Sequence, residues 1–122
     1  MTGPLQLTLD CRDPQALAPF WAEALGYTTV GNFEQYTMLL PPAELGPGAP
    51  RFLLQGVPEP KGDKNRFHLD LHVDDIDAEV ARLEAVGGRR LGERISLGQT
   101  EWVVMADPEG NEFCVCREGV NS

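Results

Sequence analysis

The sequence predicts an α+β fold built from two tandem β-α-β-β-β modules, and three observations predict it. A strand-to-helix stretch occurs twice at a constant offset: Asp13 maps onto Asp75, a spacing of 62 (75 − 13), and Leu7, Leu9, Cys11 and Gly26 map onto Leu69, Leu71, Val73 and Gly88. In both copies apolar and polar residues alternate, the period-2 pattern of a strand with one buried face, before the spacing becomes helical. Pro- and Gly-rich segments then punctuate the rest of each half. Two copies make a duplicated domain; a solenoid would need more.

The first strand, residues 5–11, sets Leu5, Leu7, Leu9 and Cys11 on one face and Gln6, Thr8 and Asp10 on the other. Asp13 suits a helix N-cap, with Pro14 in the first turn, where a missing N–H does no harm. Leu17, Phe20, Trp21, Ala24 and Leu25 form one apolar stripe, and Gly26 ends the helix. Strands follow at about 27–31 and 35–40. Residues 41–50, with four prolines and two glycines, read as a loop that continues neither regular structure, and a strand at 51–56 closes the first half. Residues 57–64 are the connector.

The second half repeats the order. A strand at 66–73 leads to a helix at 76–86, capped by Asp74 or Asp75, with Ile76, Val80, Leu83 and Val86 on its core face and Gly87-Gly88 at its close. A short strand near 89–93 precedes strands at 99–106 and 111–117, joined by the tight turn Asp107-Pro108-Glu109-Gly110. In each module the apolar sheet face covers the helix, which frees the polar face to line something else. Two such half-sheets side by side predict a curved, partly closed sheet with helices outside and Gln6, Thr8, His68, Asp70 and His72 on the concave side. The expected organisation is a single domain over residues 1–122, with modules at about 4–57 and 65–118.

The chain's 122 residues, 42% hydrophobic and 24% charged, suit one compact globular domain. No apolar run approaches the roughly 20 residues of a membrane span, and Met1-Thr2-Gly3-Pro4 lacks the basic and apolar regions of a signal peptide. The expected compartment is the cytoplasm, with no membrane partner. A net charge of −9 argues against nucleic acid, which requires clustered Lys and Arg. Cys11, Cys114 and Cys116 are odd in number and lack C-x-x-C spacing, so they read as reduced thiols.

His68 is the leading functional candidate, as metal ligand or general base, against the plainer reading of a cavity-wall histidine bonded to Asp70 or Gln6. Asp70 lies between His68 and His72 on the polar face and can orient either. His68 with Asp70 is also the candidate acid–base pair for cofactor-free catalysis. His72 stands roughly 13 Å further along the strand, too far to share a metal with His68. Cys114 and Cys116 read as buried small hydrophobes, because no nearby base or helix N-terminus activates them as nucleophiles. Of the apolar pocket candidates Phe33, Tyr36, Met38 and Trp102, only Trp102 is retained. Lys61, Lys64 and Arg66 read as a solvated loop cluster, with an anion-binding rim as the alternative.

Three stretches together resemble the vicinal-oxygen-chelate superfamily, the glyoxalase and bleomycin-resistance group. They are Leu9-Asp10-Cys11-Arg12-Asp13-Pro14 through Phe20-Trp21 to Ala24-Leu25-Gly26-Tyr27; His68-Leu69-Asp70-Leu71-His72-Val73-Asp74-Asp75; and Trp102-Val103-Val104-Met105-Ala106-Asp107-Pro108-Glu109-Gly110-Asn111-Glu112-Phe113. The likeness spans nearly the whole chain. The connector Pro58-Glu59-Pro60-Lys61 through Lys64-Asn65-Arg66 is similar to that of small glyoxalase-like proteins.

The resemblance implies four metal-ligand positions, which fall on Gln6, near Leu53 (with Gln55 two residues on), on His68 and on Cys114. Only His68 is the usual residue. Leu53 offers no donor, and Cys114 is a soft ligand where a hard carboxylate is usual. The expectation is therefore a protein with no cofactor that binds a small organic molecule in a cavity lined by Gln6, Thr8, Gln55, His68, Asp70, Trp102 and Cys114. The alternative is a metal-dependent lyase, isomerase or dioxygenase with one divalent ion on Gln6, His68 and Cys114. The resemblance also implies a homodimer.

Overall fold

A computed structural model describes residues 5–63, 65 and 67–117. The chain divides into two compact units, Met1–Lys61 and Gly62–Ser122, each built around its own open sheet. The α+β class expected from the pattern is what is found.

The first unit comprises β1 (Gln6–Cys11), α1 (Pro14–Leu25), β2 (Thr28–Phe33), β3 (Tyr36–Leu40) and β4 (Arg51–Gly56). Its sheet runs β1-β4-β3-β2, with β1 parallel to β4 and the other pairs antiparallel. The α1 helix starts where expected: Asp13 accepts a hydrogen bond from the Ala16 N–H at 3.2 Å, and Pro14 occupies the first turn. It ends at Gly26, whose φ of 71° is left-handed and easy only for glycine. Leu17, Phe20 and Trp21 bury against Leu39, Phe52 and Leu54 of the sheet. Trp21 meets Phe20 and Phe52 edge-on at 5.2 and 5.3 Å. The loop after β3 holds a short 3-10 turn at Ala43–Leu45. Edge strand β2 is exposed along its whole length, and its register against β3 slips between Thr29 and Gly31, leaving Val30 as an extra, unpaired residue.

The second unit comprises β5 (Asp70–His72), α2 (Ile76–Ala85), β6 (Arg89–Arg90), β7 (Ile95–Leu97), β8 (Thr100–Ala106) and β9 (Glu112–Arg117). The order is β5-β9-β8-β6, with β7 also pairing β8; β5 and β9 are parallel. Asp75, rather than Asp74, caps α2, accepting from the Ala78 N–H at 3.1 Å. Gly87 (φ 106°) turns the chain out of the helix, and the Gly88 N–H donates to the Leu83 carbonyl. Ile76, Val80 and Leu83 are buried, as are Val103, Met105, Phe113 and Val115 on the sheet face that α2 covers.

Four expectations need correction. The strand expected at 66–73 is strand only over Asp70–His72, and Arg66 lies outside the described residues. Val86 falls beyond the end of α2 and is exposed, not part of its core face. The strand expected at 89–93 is the two-residue β6, and an unexpected β7 forms a hairpin with β8 through Gly98 (φ 62°). The second module is therefore β-α-β-β-β-β. Ile95-Ser96-Leu97 is too short for alternation to declare itself. Among the described residues, no helix is long and apolar enough to cross a membrane.

Candidate functional site

The polar face of the second sheet holds the site. Alternation sends Thr100, Trp102 and Val104 of β8, Glu112, Cys114 and Cys116 of β9, and Asp70 and His72 of β5 to the same side, opposite α2. With His68, just ahead of β5, these residues line a pocket of about 490 Å³.

The backbone that positions them is tied down at each end. The turn between β8 and β9 closes on Asp107, fully buried, whose Oδ1 accepts from the Glu109 and Asn111 N–H groups, each at 2.9 Å. The Asn111 side-chain amide donates to both oxygens of the same carboxylate at 3.3 and 3.0 Å. This buried carboxylate is thus satisfied on every side, and it sets the register in which β9 leaves the turn. From the connector, Asn65 Oδ1 accepts from the Glu112 N–H at 3.2 Å while its amide donates to the Phe67 carbonyl at 3.3 Å. The Cys114 N–H donates to the Leu69 carbonyl and the Val73 N–H to the Cys116 carbonyl, both at 2.9 Å. Asp70 consequently lies beside Cys114, and His72 beside Cys116.

Within this frame, His68 Nδ1 stands 3.3 Å from Asp70 Oδ1, both side chains half exposed. Cys114 is buried to 8% exposure and completes a group of three. One ligand atom from each of His68, Asp70 and Cys114 lies within 4.8 Å of the other two. An imidazole beside a carboxylate can exchange a proton with a bound molecule. The same three donors can also face one cation.

The residues expected from the first module sit in their own sheet. Gln6 and Thr8 are exposed on β1, and Gln55 is half-buried on β4, opposite Asp10. None of them lines this pocket, whose walls come from the second unit alone. The parallel pair β1/β4 repeats the geometry of β5/β9: Thr8 faces Leu53 as Asp70 faces Cys114. The first module thus places Gln6, Thr8 and Leu53 where the second has His68, Asp70 and Cys114. Because Leu53 has no donor atom, the four-ligand set implied by the resemblance does not fit this chain.

Trp102 is on the wall of this pocket, whereas Phe33 is 71% exposed on β2. Thr100, Val104 and Glu112 were missed, and Cys116 was read only as a core residue; period-2 spacing along 100–104 and 112–116 was the signal that could have found them. Of the basic cluster, Lys64 and Arg66 lie outside the described residues, and Lys61 is half-buried. A smaller cleft near α2 is occupied by charge pairing: Arg94 bridges Asp77 at 2.7 Å and Glu101 at 3.4 Å.

Comparison with known proteins points one way. The glyoxalase-like domain family matches residues 6–116. No curated protein matches the chain. Among solved structures, a glyoxalase/bleomycin resistance protein/dioxygenase family enzyme from Burkholderia phytofirmans PsJN is 18% identical, with 93% of this chain and 96% of that one covered and a TM-score of 0.74. A glyoxalase-related enzyme from Fulvimarina pelagi is also 18% identical, covering 97% and 89%, at 0.72. The fosfomycin resistance protein FosX from Listeria monocytogenes is 13% identical, covering 99% and 97%, at 0.75. At these identities the likeness is one of fold.

Proposed function

Because the chain belongs to the glyoxalase-like domain family, we propose that it binds a small organic molecule in the pocket on the polar face of its second sheet. One observation carries this reading: a concave space of about 490 Å³ that combines an apolar wall with convergent polar groups. Trp102 and Val104 offer the apolar wall. His68, Asp70, Thr100 and Glu112 offer hydrogen-bonding groups, and His68, with Asp70 at its Nδ1, is placed to take or give a proton.

The names carried by structural relatives select the first probes, bleomycin and fosfomycin. Trp102 is the reporter, since the chain's other tryptophan, Trp21, is buried in the core of the first unit. Titration should produce a saturable change in tryptophan fluorescence that disappears in Trp102→Phe. A silent Trp102 against both compounds and a broad panel of small organic acids and amines, with no binding heat, would sink the reading.

A second reading, a metal-dependent enzyme with His68 as principal ligand, is favoured by the convergence of His68, Asp70 and Cys114. The proposal extends to a homodimer working in the cytoplasm. Three cysteines outside any disulfide suit that reducing compartment.

A further inference from the structure

We propose that the pocket takes an amphiphile: a small molecule with an amine head beside His68 and Asp70 and an apolar arm that lies across Trp102 to Ile95 and Leu97 of β7. The inference rests on the pocket reading above and names the class of its ligand.

The apolar side chains of β7 face away from the core. In an antiparallel ladder, residues directly opposite each other share a face. Ile95 pairs with Trp102 and Leu97 with Thr100, so both lie on the pocket side, whereas Ser96, opposite Glu101, takes the other. Ile95 is 44% exposed and Leu97 72%. Leu91, 42% exposed, extends the row, its N–H donating to the Val104 carbonyl at 2.9 Å. Packing against α2 therefore accounts for neither Ile95 nor Leu97, and each stands next to a β8 residue that walls the pocket. Exposed apolar side chains continuous with a concave site form a binding shelf.

Polarity falls in one direction across the sheet. From β5 the order is β9, β8 and then β7. The β5 edge brings His68, Asp70 and His72 to the pocket, β8 brings Thr100, Trp102 and Val104, and β7 adds only Ile95 and Leu97 to that face. Three strand spacings of ~4.8 Å separate the two ends, about 14 Å in all. A ligand that satisfies both has its polar group at β5 and its apolar arm across the strands. Apart from two histidines, the charged side chains among the described lining residues are the carboxylates of Asp70 and Glu112. They favour a hydrogen-bond donor as the head, and an amine over a hydroxyl, because a charged donor bonds a carboxylate more strongly. The chain's net charge of −9 acts in the same sense.

The test is a homologous series of n-alkylamines from ethyl to octyl, each below its micelle concentration. They are titrated into the wild-type chain and read by Trp102 fluorescence and by calorimetry. Affinity should rise by about twofold per methylene, because a shelf covers one side of the arm, where complete burial would give about fourfold. Replacing Ile95→Ser and Leu97→Ser together should flatten the rise at the long end and weaken octylamine by about tenfold. Both side chains are exposed, so the double variant should match wild type by circular dichroism. Val86→Ser, altered at an exposed residue beyond the end of α2, should keep the full rise. The proposal is overturned by affinity independent of chain length, by a rise that survives the double variant, or by octanoate binding as tightly as octylamine. A second copy of the chain is the competing occupant of this edge. In that case the double variant lowers the sedimentation mass, leaves the amine series unchanged and removes the apolar arm from the proposal. Silence toward every amine also overturns it. Binding of another compound from the broader panel would then still uphold the proposed function, whereas silence toward all of them would remove both.

Discussion

Tyr27 shows how much one side chain can report. Its hydroxyl donates to the Pro50 carbonyl at 2.8 Å, tying the end of α1 to the loop before β4. Burial raises its pKa above the ordinary 10.0, because the phenolate would be poorly solvated there. A raised pKa means that the folded state holds the proton more tightly than the unfolded chain. The corresponding stability is complete below the unfolded value and is lost as pH rises through the folded one. Tyr27→Phe should therefore cost about 1 kcal/mol at neutral pH, where the hydrogen bond is intact. The gap should narrow as pH rises past about 10, in urea unfolding curves recorded across that range. A gap that stays constant with pH would disprove this account. The site residues were less evenly legible. His68 and Asp70 stood out because the duplicated strand exposes its polar face to inspection. Part of the support beneath them did not: Asn65 acts through a contact with Glu112, far along the chain, that no local pattern encodes.

Elements were readable wherever local chemistry and hydrophobic period agreed. Both helices begin at an aspartate that accepts from the N–H three residues on, and their core stripes follow the spacing except at Val86. At α2 the sequence left Asp74 and Asp75 as equal candidates, since only backbone geometry separates them. Asp75→Ala should lower stability by about 1 kcal/mol, whereas Asp74→Ala should stay within about 0.5 kcal/mol in the same chemical denaturation series. Equal losses would mean that the cap is shared. Strand limits were harder. The β5 strand is only three residues long and pairs with part of β9, and the short β6 and β7 both pair with β8. Such short strands have no period of their own to display.

At the scale of the whole molecule, duplication has produced two units of similar plan and unequal chemistry. One carries glutamine, threonine and leucine where the other carries histidine, aspartate and cysteine. The proposed homodimer would require an isologous twofold interface. Sedimentation equilibrium should then give twice the 13.4 kDa of one chain, unchanged across micromolar concentrations. A mass of one chain throughout would remove the dimer from the proposal. The edge strand β2 carries a different consequence for the protein in a crowded solution. A straight exposed edge offers a row of unsatisfied amides and carbonyls to any passing strand, and Val30 and Phe33 would make that contact sticky. The extra residue at Val30 breaks the even spacing that such docking needs and twists the edge away from a flat approach. An apparent irregularity in the ladder thus acts as insulation, letting the chain keep an open sheet without adding its neighbours to it.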